Sequence, residues 1–306
     1  MADLTAFAPD LRRAARRLPR AVFTPLTFPL VRAMVAVTAR LAPRGGAERH
    51  LLATGQRLYL HRPATPCADP VPALLWIHGG GLVIGAPELE AELARTIADR
   101  LGIVVAAPAY RLAPRHPYPA ALDDLDAAFD WLATLPGIDQ ARLAIGGDSA
   151  GGGLAACLAI RRRDGDGPKP CVQLLHQPML DEATRDRPDP APDTTRMWNG
   201  ATNRFGWGAY LAGIAGPVPP TASAARLADP AGLAPAWIGC GTADLFHAEA
   251  ETYATRLAAA GVATRFRSAP GGFHGFATMA PKAETARTYL DDMISTLGEG
   301  LGLIPG

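Results

Sequence analysis

The chain has 306 residues, 48% hydrophobic and 19% charged, which is apolar material enough for a full core and excludes a mostly disordered protein. Thirty basic residues against 29 acidic ones leave a net charge of +1, so no global field exists to hold nucleic acid or an anionic membrane. Twenty-eight of the basic residues are arginine, and only four serines occur: Ser149, Ser223, Ser268 and Ser295. Cys67, Cys157, Cys171 and Cys240 are scattered without a CxxC pair. That spacing argues against a zinc site or a disulfide framework and favours reduced thiols in a cytoplasmic protein.

In chain order, arginines at 12, 13, 16 and 17 precede an apolar stretch, but Pro25, Pro29 and Arg32 interrupt it, which is unlike a cleaved signal. No run approaches the ~18 apolar residues that cross a bilayer, so no stable membrane insertion is expected. Residues 1–50 read as two short helices, with Leu11, Leu18 and Val22 on one face, then Leu30, Met34 and Leu41. From residue 57 onward, strands are expected at 57–61, 73–77, 103–107, 142–146, 172–177, 235–240 and 263–268. Several are apolar on both faces, as a sheet covered on both sides requires. Helices are expected at 88–101, 120–135, 149–163, 247–260 and 281–297. The first carries Leu89, Leu93, Ile97 and Leu101 at steps of four, and the second Leu122, Leu125, Phe129 and Leu132. This alternation predicts an α/β fold with a mostly parallel, doubly wound sheet. Residues 183–220 break the rhythm, Pro- and Asp-rich at first and then aromatic with Trp198, Phe205, Trp207 and Tyr210. A strandless excursion of that length suits a lid over a functional site.

The segment Gly147-Asp148-Ser149-Ala150-Gly151 follows a predicted strand and opens a predicted helix. A sharp strand-to-helix turn strains the central residue and projects its hydroxyl from the sheet edge, and side chains at the flanking glycines would collide across it. At this composition a Gly-x-Ser-x-Gly match is expected by chance only ~0.04 times. Ser149 is therefore the candidate nucleophile. His78-Gly79-Gly80-Gly81 follows another strand, and its backbone N–H groups can converge on a developing oxyanion. The expected donors are Gly79, Gly80 and Ala150, the residue after the nucleophile, with His78 and Gly81 bracing the loop. No Gly-Lys-Ser/Thr follows, so the glycines are not a P-loop.

A serine needs a base, and the base an orienting acid, in the chain order Ser, Asp or Glu, His. After Ser149 only His176, His247 and His274 remain. His176 sits inside a strand as a buried polar residue, and His247 opens a helix and is expected to face solvent. His274, in the loop Gly271-Gly272-Phe273-His274-Gly275-Phe276, can reach over the sheet edge. Asp244, just past the strand at 235–240, is the expected acid, with a helix N-cap as its structural alternative. Asp229 lies at the wrong end of that strand, and Glu249 and Glu251 are expected to be solvated.

Taken together, these residues resemble the hormone-sensitive-lipase-like bacterial esterases of the α/β-hydrolase group. The likeness runs over His78–Gly81, Tyr110-Arg111-Leu112-Ala113-Pro114, His116-Pro117-Tyr118-Pro119-Ala120-Ala121, the Ser149 elbow, Asp244 and the loop ending at Phe276. It implies one hydrolase domain over 1–306 and a carboxylesterase of short- to medium-chain acyl esters. It also implies a cap from residues 1–50 and 183–220, with Trp198, Phe205 and Trp207 lining the pocket. Arg115, Ala248 and the His176-Gln177 pair depart from the family pattern, but none removes a catalytic group. The expected partner is a small-molecule ester, with no metal or cofactor, and a homodimer is left open. An amidase, lactonase or acyltransferase could use the same three residues. A silent binder is the other alternative, since plant gibberellin receptors resemble the family but lack the base.

Overall fold

A computed structural model describes residues 4–187 and 195–305. Eight strands form one sheet in the order β1-β2-β4-β3-β5-β6-β7-β8. They are β1 (Glu48–Leu51), β2 (Arg57–His61), β3 (Val71–Ile77), β4 (Val104–Pro108), β5 (Ile138–Asp148), β6 (Val172–His176), β7 (Ala236–Gly241) and β8 (Thr264–Ala269). All pairs from β4 to β8 are parallel, whereas β2 runs antiparallel to both β1 and β4. All seven expected strands are present within a few residues. The edge strand β1 is additional, in a stretch expected to be helical. Its sequence Glu-Arg-His-Leu has no apolar run and is mostly exposed, so backbone pairing alone reveals it.

The helices are α1 (Arg12–Arg17), α2 (Phe28–Leu41), α3 (Ala91–Leu101), α4 (Ala120–Thr134), α5 (Ala150–Asp164), α6 (Gly200–Tyr210), α7 (His247–Ala259), α8 (Phe276–Met279) and α9 (Glu284–Gly300). The pleat of β3 sends Leu75 and Ile77 into one core with Leu122, Phe129, Leu154 and Leu257, from α4, α5 and α7. Its alternate residues Leu74 and Trp76 enter a second core with Ile97, Tyr289 and Met293, from α3 and α9. Both faces are thus covered, which is why these strands read as continuous apolar runs. Leu89, expected on the inner face of a helix, is 40% exposed, because residues 87–90 form a 3-10 turn ahead of α3.

Residues 1–3 and 188–194 of the expected cap, and residue 306, lie outside the described residues. The described remainder meets the N-terminal segment through aromatic rings: Phe205 of α6 packs 4.7 Å from Phe28 and 5.5 Å from Phe23. The N-terminal helices depart from expectation in two respects, the first being that α1 spans only Arg12–Arg17 and leaves Leu11, Leu18 and Val22 outside it. Second, Leu11 is fully buried, but Leu30, Met34 and Leu41 point outward, and α2 faces the protein with Phe28 and Ala39.

Glu249 corrects another expectation, being 4% exposed rather than solvated. Its Oε1 accepts from the amides of Leu180 (2.7 Å) and Asp181 (3.3 Å), and its Oε2 accepts from the Thr184 hydroxyl, so α7 anchors the chain leaving β6. Burial outweighs those hydrogen bonds and pushes its pKa up to about 8. A carboxyl raised in the fold contributes stability at low pH that is lost as pH rises through about 8. Thermal melts of Glu249→Gln and the parent should therefore diverge in favour of the variant between pH 5 and pH 8.5, and parallel curves would contradict this. Glu249→Ala should cost about 1–3 kcal/mol at pH 6 by leaving buried amides without an acceptor.

Candidate active site

The loops after β3, β5, β7 and β8 meet at the C-terminal edge of the parallel strands, the edge at which open α/β sheets bind ligands. Ser149 follows β5 with φ 54 and ψ −115, a left-handed conformation that costs a non-glycine residue on the order of 1–3 kcal/mol. Its amide donates to the His176 carbonyl (2.8 Å), and its carbonyl accepts from Met179 N–H (3.0 Å). The flanking glycines are sterically required. A Cβ on Gly151 would lie 2.0 Å from the Ile77 oxygen, and one on Gly147 would lie 2.5 Å from Gly151 backbone.

Ser149 Oγ lies 2.9 Å from His274 Nε2, and His274 Nδ1 lies 2.7 Å from Asp244 Oδ2. The other Asp244 oxygen accepts from Phe246 N–H (3.0 Å), so one carboxylate both closes the turn into α7 and orients the imidazole. The N-cap position of α7 is Phe246, which has no side-chain cap, so the alternative reading of Asp244 as a helix N-cap does not hold and its bond to Phe246 N–H belongs to the turn ahead of the helix. The histidine loop is tied down by Gly275 N–H donating to Gln177 Oε1 (2.8 Å) and Gly271 N–H donating to Thr242 Oγ1 (2.8 Å). Burial presses the His274 imidazole towards its neutral form, but Asp244 and the more distant Asp148 outweigh it and raise its pKa. This arrangement can take a proton from the serine hydroxyl and hold it as an imidazolium.

The other two histidines lie apart from this line. His176 is buried as expected, its Nδ1 hydrogen-bonded to Asp148 beneath the elbow. His247 is half-buried rather than solvent-facing, because its Nε2 pairs with Ser268 Oγ at 2.8 Å.

In the glycine loop, His78 Nδ1 bonds the Gly79 carbonyl (2.8 Å), and its ring stacks on Tyr110 at 4.2 Å. Burial lowers the His78 pKa to about 4, so it braces the loop as a neutral ring. The Gly79 amide is committed elsewhere, donating to Glu90 Oε1 at 2.8 Å, while Glu90 Oε2 accepts from Trp76 Nε1 at 2.7 Å. Burial and the nearby Asp148 push the Glu90 pKa up to about 8. Gly79 lies beside Ser149, but its committed amide departs from the expected oxyanion role, and Gly80 (119°) and Gly81 (59°) turn the chain onward with positive φ. Glu90 had no signal in the sequence, since a 3-10 turn returns it to the loop eleven residues on.

Of the expected pocket aromatics, Trp198 reaches the site: its ring lies 6.5 Å from the His274 ring, and a Cβ on Gly81 would overlap it at 1.9 Å. Phe205 is one layer out, against Phe23 and Phe28. Trp207 is buried in the core beside Tyr210 (6.2 Å).

Comparison with known proteins agrees with this geometry. A family model described as the alpha/beta hydrolase fold matches residues 74–278. Carboxylesterase NlhH of Mycobacterium tuberculosis is 36% identical over 230 residues, 71% of each chain. Ethyl acetate hydrolase of Pseudomonas putida is 33% identical over 256 residues, 79% of this chain and 78% of the relative. The structure of esterase LipW from Mycobacterium marinum superposes with a TM-score of 0.85 at 32% identity, covering 97% of this chain and 96% of that one. The fold, the elbow and these relatives together make the chain a member of the α/β-hydrolase family, in its hormone-sensitive-lipase-like group.

Proposed function

We propose that the protein is a serine carboxylesterase of short- to medium-chain acyl esters. The observation that carries this reading is the unbroken line from Asp244 through His274 to Ser149, at 2.7 and 2.9 Å. Its relatives named carboxylesterase and ethyl acetate hydrolase support the same chemistry.

His274 Nε2 takes the proton from Ser149 Oγ as the oxygen attacks the ester carbonyl. Asp244 holds the Nδ1–H tautomer and stabilises the imidazolium. The oxyanion is received by the N–H groups of Gly80, Gly81 and Ala150, with Gly79 held aside by Glu90. Donors of this kind are each worth about 3 kcal/mol. The imidazolium then gives its proton to the leaving alcohol. A water deprotonated by His274 attacks the acyl-serine, and the proton taken up returns to Ser149 as the acid leaves.

Ser149 and His274 are only 4% and 8% exposed, as suits a site under a cover. Residues 1–50 and 183–220 act as that cap, with Trp198 nearest the acyl group. Cytoplasmic residence belongs to the same reading, supported by four free cysteines.

Ser149→Ala should lower kcat on p-nitrophenyl butyrate by about 10³-fold or more, and equal turnover would remove the nucleophile from the account. The parent's profile over C2 to C12 esters should fall at the long end, and a flat profile would argue against a Trp198-lined pocket. Because neutral His274 is the base and its pKa is raised above 6.5, kcat/KM should decline tenfold per pH unit on an acid limb centred above pH 6.5. Asp244→Asn should cost about 10⁴-fold in kcat and move that limb to lower pH.

A further inference from the structure

Helix α2 is apolar on both faces, yet only one face has a partner inside the protein. Phe28 and Ala39 are buried, and Val31 and Val35 pack against the core. On the opposite side Leu30, Met34, Val37 and Leu41 are 66%, 60%, 52% and 80% exposed, preceded by Leu26 at 94%. At 100° per residue the four on the helix fall within a sector of about 60°, opposite Phe28 and Ala39, and Leu26 lies in the turn ahead of it. Together the five make up most of the exposed large hydrophobic side chains of the described residues. A helix apolar all round is ordinarily buried in protein or in lipid. An exposed stripe of this kind marks an interaction surface rather than scattered surface leucines.

Charge identifies the occupant. Residues 11–47 hold eight arginines and no acidic residue, although the whole chain is balanced at +1. Arg13, Arg16, Arg17, Arg40 and Arg44 are exposed, Arg40 and Arg44 at the C-terminal end of the stripe. A second copy meeting this face through the same segment would bring these arginines no acidic partner. Four side chains on one helix and one in the turn before it also fall well short of the ~20–30 residues a side of a stable protein interface. An anionic lipid surface meets both requirements, taking the apolar side chains between its acyl chains and the guanidinium groups among its phosphates. The helix has 14 residues and no described helix is long and apolar enough to span a membrane, so the fit is to a helix lying in the interface.

We propose that α2 is an interfacial docking helix, seating the outer face of the cap region on an anionic bilayer. On the inner side of the same helix Phe28 touches Phe23 and Phe205, and Phe23 packs 5.9 Å from Trp198, so the rings of Phe28, Phe23 and Trp198 link the seated face to His274. The inference goes beyond ester hydrolysis, and its test reads binding alone.

The full-length protein is sedimented with vesicles of phosphatidylglycerol and phosphatidylcholine, and separately with phosphatidylcholine alone, at 50 and 500 mM NaCl. The expected result is binding to the mixed vesicles at low salt, at least tenfold weaker at high salt and on the neutral vesicles. Leu30→Glu/Met34→Glu and Arg40→Glu/Arg44→Glu should each weaken it at least tenfold, with melting temperatures within about 2 °C of the parent. A parent that stays in the supernatant with the mixed vesicles overturns the proposal, as does either variant binding like the parent. Equal binding to neutral vesicles overturns the charge argument. Sedimentation velocity without lipid supplies the rival outcome: a parent dimer that Leu30→Glu/Met34→Glu converts to monomer would make the occupant a second copy.

Discussion

The rest of the site depends on the backbone of Ser149. A residue at φ 54 and ψ −115 persists only where its surroundings leave no alternative. Here Gly151 comes so close to the Ile77 carbonyl that a methyl group could not fit, and two backbone hydrogen bonds fasten Ser149 to the chain leaving β6. The turn therefore couples β3, β5 and β6 at one point. Whatever fixes the elbow also fixes the glycine loop after β3, because Ile77 is the residue it packs on and His78 comes next. Ser149 and the glycine loop are thus set relative to each other by backbone contact, without intervening flexible side chains.

A second constraint is electrostatic. Asp148 and Glu90 place two carboxyl groups beside the nucleophile, and both are held by structural hydrogen bonds. Asp148 pairs with His176, while Glu90 accepts from Gly79 and Trp76. Burial and mutual repulsion raise the Glu90 pKa to about 8, which limits the negative charge close to a developing oxyanion. Asp148 acts in the opposite sense at longer range, helping Asp244 to raise the His274 pKa. The basicity of His274 thus reflects more than its immediate partner.

Much of this is legible in the sequence because the motifs are local. The elbow, the glycine triplet and the His274 loop are each contiguous, and their chemistry follows from turn geometry. Strands buried on both faces announce themselves as apolar runs. What escapes depends on contacts between distant segments. Glu249 reads as a solvated helix residue until the chain leaving β6 is laid over it, and Glu90 has no reading until the 3-10 turn brings it to Gly79. The strand β1 exists only through pairing with β2. Trp207 and Phe205 are near neighbours in the same aromatic stretch, but α6 turns the Trp207 ring into the core and leaves Phe205 against the N-terminal segment. The outward stripe of α2 escapes for a related reason: periodicity finds a face and cannot say which of two apolar faces meets the protein.

Covalent trapping on Ser149 tests the central claim most directly. Treatment with a fluorophosphonate ester followed by intact and peptide mass spectrometry should give one adduct per chain, on Ser149, formed at least 10²-fold more slowly in His274→Ala. An adduct on Ser223, Ser268 or Ser295, or equal labelling rates with and without His274, would contradict the strained, histidine-activated nucleophile described above.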